Sequence, residues 1–144
     1  MHSKIIFKVF GILLMVFSIS LLPPILVSVI YEDGGFYSFT SVMLGVLLTG
    51  LLFWYPVRNH KQDLKIRDGF LIVVMFWTVL GLIGALPFIF SQGTELSITD
   101  AIFESFSGLT TTGATVIIGL DELPHSILWY RQQLQWLGGM GIIV

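Results

Sequence analysis

The chain has 144 residues, of which 55% are hydrophobic and 11% charged, and its mean hydropathy is +0.90. This is more apolar surface than a water-soluble domain can bury, so the composition predicts a membrane protein in contact with the lipid bilayer. The net charge of −2 is too small to indicate a nucleic-acid partner. Cysteine is absent from these residues, which excludes a disulfide framework or a thiolate metal site among them.

Three apolar runs in the sequence are long enough to cross a bilayer. The first, 5–30, would reach roughly 39 Å as a helix, more than the ~30 Å of hydrocarbon, although Pro23 and Pro24 interrupt it. The other two runs are 36–55 and 69–90. Pro87 is expected to kink or end the third run near the outer surface. Because lipid offers no water to a spanning backbone, we predict an all-α fold of transmembrane helices.

The N-terminus allows a second interpretation. Lys4 and Lys8 ahead of the apolar stretch 9–22 have the charge and length of a cleaved signal peptide. However, no convincing small-x-small cleavage site follows Leu22, and the apolar sequence continues past both prolines. We therefore expect residues 1–55 to form two transmembrane helices.

The placement of basic residues predicts the orientation of the chain. Lys4 and Lys8 precede the first span, and four of the other five basic residues lie in 56–68. The segments 31–37 and 91–125 contain no basic residue and seven acidic ones. The acidic residues are Glu32, Asp33, Glu95, Asp100, Glu104, Asp121 and Glu122. By the positive-inside rule, the N-terminus and a linker at 56–68 are cytoplasmic.

A short amphipathic helix is predicted at 98–107. Ser97 or Thr99 could cap its first amides, and Asp100 lies near the positive end of its dipole. Ten residues reach only about 15 Å, half of the hydrocarbon thickness. Because Glu104 would be costly at the bilayer centre, the helix must face protein or water. It is therefore a candidate re-entrant half-helix.

The stretch "GLTTTGAT", 108–115, follows this helix. An extended loop returning from a half-helix can point successive backbone carbonyls at a dehydrated cation, and the helix C-terminus adds negative potential. Gly113 can adopt the positive φ that other residues reach only at a cost, and the threonine hydroxyls can bond locally or line a pore. The alternative is an ordinary external turn punctuated by glycines.

A fourth apolar segment, 127–144, contains Arg131. This cation could face a pore vestibule or a neighbouring repeat, or it could snorkel to the outer surface. Glu104 could add negative potential near a pore entrance, or it could bond the loop or a neighbouring helix. Three glycines on this segment indicate close helix packing rather than a hinge: Gly138, Gly139 and Gly141.

The motifs "FESFSGLTTTGAT" and "LPHSILWYRQQLQWLGGMGIIV" together resemble the first membrane–pore–membrane repeat of bacterial Trk-type potassium transporters, the pore subunits of the Trk/Ktr/HKT superfamily. Residues 1–55 would match two additional N-terminal helices, and 69–144 the first repeat. Within this repeat the resemblance implies helix 69–90, re-entrant pore helix 98–107, filter loop 108–115 and a truncated second helix 127–144.

The resemblance implies that Thr110, Thr111, Thr112 and Gly113 bind K⁺ through backbone carbonyls, as one of four filter strands. The resemblance implies that glycine at position 113 favours potassium transport, as in the potassium-transporting members, whereas serine at the matching position favours sodium transport. K⁺ is then the transported ion, with no organic cofactor in this chain. The expected location is the bacterial inner membrane, and the expected assembly is a homodimer with a cytosolic nucleotide-binding regulatory subunit.

Other functions remain open at this point. The chain could form a non-selective or sodium-permeable cation pathway, or a non-transporting membrane subunit in which 91–125 is an external cap. Channel and symport mechanisms are both compatible with these residues. An enzyme is not expected, because the sequence contains no nucleophile elbow, phosphate loop or metal-spaced histidines.

Overall fold

The computed structural model describes residues 3–59 and 65–143, and within these ranges the chain is all-helical, without strands. The α-helices are α1 (Ser3–Ser20), α2 (Leu22–Tyr31), α3 (Phe36–Trp54), α4 (Ile66–Ile83), α5 (Leu86–Phe90), α6 (Ile98–Leu109) and α7 (His125–Ile143). Short 3-10 turns occupy Tyr55–Val57 and Leu120–Glu122. Residues 60–64 of the predicted linker and Val144 lie outside the described residues.

Three helical segments in the described part of the chain are long and apolar enough to cross a membrane. They are Lys4–Tyr31, Phe36–Val57 and Ile66–Phe90. The number of membrane-length segments agrees with the apolar runs of the sequence, because run length alone sets this property.

The first of these segments is broken at Leu21, between α1 and α2. Pro23 and Pro24 fit the first turn of α2, where the amides have no acceptor within the helix. Pro24 cannot donate to the carbonyl of Ser20, which instead accepts a hydrogen bond from Gln133 of α7. A side chain of α7 therefore satisfies the carbonyl that the break between α1 and α2 leaves without a backbone donor.

The third segment has a similar break, between α4 and α5. Pro87 lies in the first turn of α5, as expected for a residue that cannot continue a preceding helix. The carbonyl of Gly84, inside the break, accepts a hydrogen bond of 2.7 Å from the hydroxyl of Tyr130 on α7. Tyr130 is fully buried, and its ring packs against Phe39 and Phe88 at centroid distances of 5.4 and 5.2 Å. α7 thus holds both broken segments.

The turn between α2 and α3 also binds α7. Asp33 Oδ2 accepts a hydrogen bond of 2.8 Å from the amide of Ser126 in the first turn of α7. Asp33 Oδ1 accepts from Ser28 Oγ at 2.6 Å and from the amide of Gly35 at 3.0 Å. Burial acts to raise the pKa of Asp33, but these hydrogen bonds outweigh it and hold the pKa below its ordinary value. The turn therefore fixes the N-terminal end of α7.

Candidate functional site

Helix α6 begins at a side-chain cap and ends inside the predicted loop. Ser97 Oγ accepts a hydrogen bond of 3.1 Å from the amide of Asp100, which identifies Ser97 as the cap. The predicted end of the helix at residue 107 is too early, since Gly108 and Leu109 are helical. Both are buried, and a Cβ at Gly108 would lie 3.0 Å from Leu134 Cβ. Packing against α7 extends the helix by these two residues.

The chain leaves α6 through a Schellman motif. The amide of Thr112 donates to the carbonyl of Ser107 at 3.0 Å, and the amide of Thr111 donates to that of Gly108 at 2.9 Å. The amide of Gly113 also reaches the Ser107 carbonyl, at 3.2 Å. The carbonyls of Ser107 and Gly108 are therefore satisfied by the loop that follows the helix.

Two loop residues have left-handed backbone conformations. Gly113 has a φ of 74°, in agreement with the conformational freedom expected of it. Thr111 has a φ of 59°, which the sequence did not predict. A β-branched residue in this region is a genuine outlier that costs roughly 1–2 kcal/mol. Such strain persists only where the surroundings enforce it, and it is concentrated at functional sites.

The threonine hydroxyls bond within the loop and its helix. Thr110 Oγ1 donates to the Phe106 carbonyl at 2.7 Å and lies 2.9 Å from Thr112 Oγ1. These bonds stiffen the start of the loop, which is one of the two roles that the sequence allowed for the hydroxyls.

The backbone carbonyls of 110–113 belong to exposed residues of the loop. No hydrogen bond from the described part of the chain reaches these four oxygens, and all four residues are exposed. Among the same described residues, no cluster of three or more His, Asp or Glu side chains is placed to hold a metal. Neutral carbonyl oxygens are ligands that can replace the water around a potassium ion. The arrangement can therefore offer several such ligands from one short stretch.

The far end of the loop is bound to Glu104 on α6. Glu104 Oε1 accepts hydrogen bonds from Thr115 Oγ1 at 2.6 Å and from the amide of Val116 at 2.7 Å. Glu104 Oε2 lies 3.1 Å from Arg131 Nε on α7. Of the roles considered for Glu104, the structure shows bonds to both the loop and a neighbouring helix. Snorkelling of Arg131 is wrong, because this side chain is buried and paired.

Helix α7 touches the last turn of α6 at Gly138. A Cβ built there would lie 1.7 Å from the carbonyl oxygen of Leu109, the residue before the first loop threonine. The close-packing interpretation is therefore confirmed for Gly138. It does not extend to Gly139, where a Cβ would meet only Thr111 Cγ2 at 3.8 Å.

Comparisons with known proteins found a family and several relatives. A family model described as "TrkH: Cation transport protein" matches residues 36–144. The Trk system potassium uptake protein TrkH of Escherichia coli (strain K12) is 58% identical over 144 residues, covering 100% of this chain and 30% of that protein. The protein of the same name in Halomonas elongata is 55% identical over 145 residues, and TrkG of E. coli is 38% identical over 143 residues.

A solved structure is also similar to this chain. The crystal structure of the potassium transporter TrkH from Vibrio parahaemolyticus has a TM-score of 0.93 and 56% sequence identity, covering 99% of this chain and 31% of that one. The chain spans about 30% of the length of the curated relatives it matches.

Proposed function

The chain belongs to the family of TrkH cation transport proteins, and we propose that it contributes the first pore repeat of a potassium-uptake pathway. In this proposal the carbonyl oxygens of 110–113 form one strand of the selectivity filter. The supporting observation is the state of the backbone at 110–113, where the amides bond back to α6 whereas the carbonyls accept nothing from the described residues. The names of the relatives, which are potassium uptake proteins, support K⁺ as the transported ion.

Selection of the ion follows from solvation. A potassium ion that enters the filter loses water, and carbonyl oxygens at fixed positions replace that water. Helix α6, twelve residues and therefore about 18 Å long, would enter the membrane from outside without crossing it, and its negative C-terminal end would favour a cation at the loop. One loop supplies one strand, so three further strands would complete the ring.

The driving force is the membrane potential. A potential of −100 mV is worth about 2.3 kcal/mol per monovalent ion, which supports roughly 50-fold accumulation. The chain is a multi-pass membrane protein by its family and its three membrane-length segments. We propose the bacterial inner membrane as its location, which the bacterial Trk relatives support. The basic residues support a cytoplasmic N-terminus; they include Lys4, Lys8, Arg58, Lys65 and Arg67.

The proposed organisation assigns 1–55 to two N-terminal helices, 56–68 to a cytoplasmic linker and 69–144 to the pore repeat. The assembly would be a homodimer that binds a cytosolic nucleotide-binding regulatory subunit. The description of relatives as parts of a Trk system supports the existence of partner components.

The test is cation flux into liposomes that contain the intact transporter with this segment. Uptake of rubidium or thallium is compared with uptake of sodium for the wild type and for Gly113→Ser. Gly119→Ser is the matched control, since its φ is also 74° and its nearest Cβ contact, Glu122 Oε2 at 3.6 Å, is ordinary. Both substitutions introduce the same left-handed strain, but only one lies in the proposed filter.

Each outcome separates the candidate functions. Potassium-like selectivity that Gly113→Ser relaxes and Gly119→Ser leaves intact supports the filter. Equal sodium and rubidium flux in the wild type would indicate a non-selective or sodium-permeable pathway. Flux that is absent, or selectivity that neither variant changes, would leave 91–125 as an external cap and "GLTTTGAT" as a turn.

A further inference from the structure

We propose that Glu104 and Arg131 act as a positioning pair that holds the distal end of the filter loop in its selective conformation. The proposal rests on the function proposed above and extends it to two residues that do not themselves touch the ion. It makes the carboxylate of Glu104 the junction between the loop, α6 and α7.

The two oxygens of the Glu104 carboxylate have separate partners. Oε1 accepts from the Thr115 hydroxyl at 2.6 Å and from the Val116 amide at 2.7 Å, while Oε2 faces Arg131 Nε at 3.1 Å. A backbone amide has one direction in which to donate, so its bond to a buried carboxylate fixes the orientation of the peptide plane. The carboxylate therefore determines the path of the chain immediately after the proposed filter.

The loop is anchored to α6 at both ends. At its start, the amides of 111–113 bond the carbonyls of Ser107 and Gly108, and at its end Glu104 holds Thr115 and Val116. Ser107 Oγ adds a bond of 2.5 Å to the Ala114 carbonyl. Because Glu104 and Ser107 lie three residues apart on one helix, the segment between the anchors is a short arch whose carbonyls have a fixed spacing.

The charge of the pair favours positioning over ion attraction. Glu104 is 3% exposed and Arg131 is 9% exposed, so each charge has exchanged water for the other. A buried carboxylate without a cation would be strongly unfavourable, and Arg131 supplies that cation in the form of a guanidinium group. The pair is neutral as a unit, so it adds little net potential for a passing cation. Its specific contribution is geometric.

A charge swap tests this contribution. Glu104→Arg combined with Arg131→Glu keeps a buried ion pair between α6 and α7, but it puts a donor where Thr115 and Val116 need an acceptor. In the intact transporter in liposomes, we expect this double variant to reduce the ratio of rubidium to sodium flux by about tenfold or more. This reduction should be larger than the change in the thermal unfolding midpoint would explain. Recovery of both stability and selectivity would overturn the proposal, since any ion pair would then suffice.

Thr115→Val provides a second, milder test that decides the matter alone if the double variant does not fold. It removes a hydroxyl that donates to Glu104 and accepts from the amide of Ile117 at 3.0 Å, at an exposed position with little change of shape. Thr78→Val is the matched control, because the Thr78 hydroxyl is also exposed and bonds only its own helix, at the Val74 carbonyl. We expect a loss of selectivity of about threefold or more for Thr115→Val and none for Thr78→Val. Equal ratios in both variants would overturn the proposal.

The same experiment distinguishes a failure of the positioning role from a failure of the proposed filter function. A wild-type protein without potassium-like selectivity would overturn the proposed function and the positioning role with it. A selective wild type whose ratio is unchanged by the charge swap or by Thr115→Val would leave the filter in place and overturn the positioning role only.

Discussion

Replacing Gly138 by alanine puts the contact between α6 and α7 to a direct test. The new Cβ would lie 1.7 Å from the Leu109 carbonyl oxygen and 2.6 Å from its carbon. An ordinary contact starts near 3.4 Å, so the two helices would have to separate by about 1.7 Å. The obstacle is backbone in the last turn of a helix, which cannot rotate away as a side chain can.

The expected loss of stability follows from this clash. Overpacking costs typically 1–3 kcal/mol, and a backbone obstacle puts Gly138→Ala at about 3 kcal/mol. The better helix propensity of alanine returns about 1 kcal/mol. The net loss is about 2 kcal/mol, roughly a 30-fold shift of the folding equilibrium.

Gly139→Ala is the matched control for this experiment. It adds the same methyl group to the next position of α7, where the nearest atom is Thr111 Cγ2 at 3.8 Å. Without a clash, it should gain up to about 1 kcal/mol from helix propensity. The two variants should therefore differ by about 3 kcal/mol.

The assay is thermal unfolding of the purified intact protein in detergent, followed by rubidium uptake in liposomes. We expect Gly138→Ala to unfold at a lower temperature than the wild type and Gly139→Ala at the same or a higher one. Because Leu109 precedes Thr110 directly, Gly138→Ala should also reduce selective uptake. Equal unfolding temperatures for the two variants would refute the contact and the reasoning built on it.

Two further substitutions address the way in which α7 is held. Tyr130→Phe removes the donor to the buried Gly84 carbonyl and should lower the unfolding free energy by about 1–3 kcal/mol. Tyr37→Phe is the control and should not lower it, because the Tyr37 side chain is 82% exposed. Equal unfolding midpoints for the two variants would contradict this expectation. The lowered pKa of Asp33 means that its stabilising contribution is complete above its ordinary pKa of 3.8 and is lost as the pH falls through and below that value. Asp33→Asn should therefore weaken the fall in unfolding temperature between pH 4 and pH 2, and an unchanged fall would argue against a role for this carboxylate.

Apolar run length and local helix chemistry explain what could be predicted from the sequence. Three membrane-length segments follow from hydrophobicity alone, and Ser97 was one of two capping candidates because its side chain fits the start of α6. The positive φ of Gly113 follows from its missing Cβ. These properties depend on a few neighbouring residues, so they can be read locally.

The remaining features depend on tertiary contacts. Threonine rarely adopts the left-handed conformation that Thr111 has, and only the surrounding bonds to Ser107 and Gly108 enforce it. The partner of Glu104 was open from the sequence, because Arg131 is 27 positions away on another helix. α6 extends past its predicted end by two residues, Gly108 and Leu109, because both pack against α7.

The pairing of Glu104 with Arg131 also has a consequence for biosynthesis. A ribosome that adds 5–20 residues per second needs about 1–5 s to cover the 27 positions between them, so the acid emerges well before its counter-ion. During that interval the Glu104 carboxylate would have no partner in hydrocarbon. The free-energy cost of an unpaired charge there opposes insertion of α6. In the proposed re-entrant arrangement, we expect α6 to stay in water at first and to enter the membrane only after α7 has been synthesised.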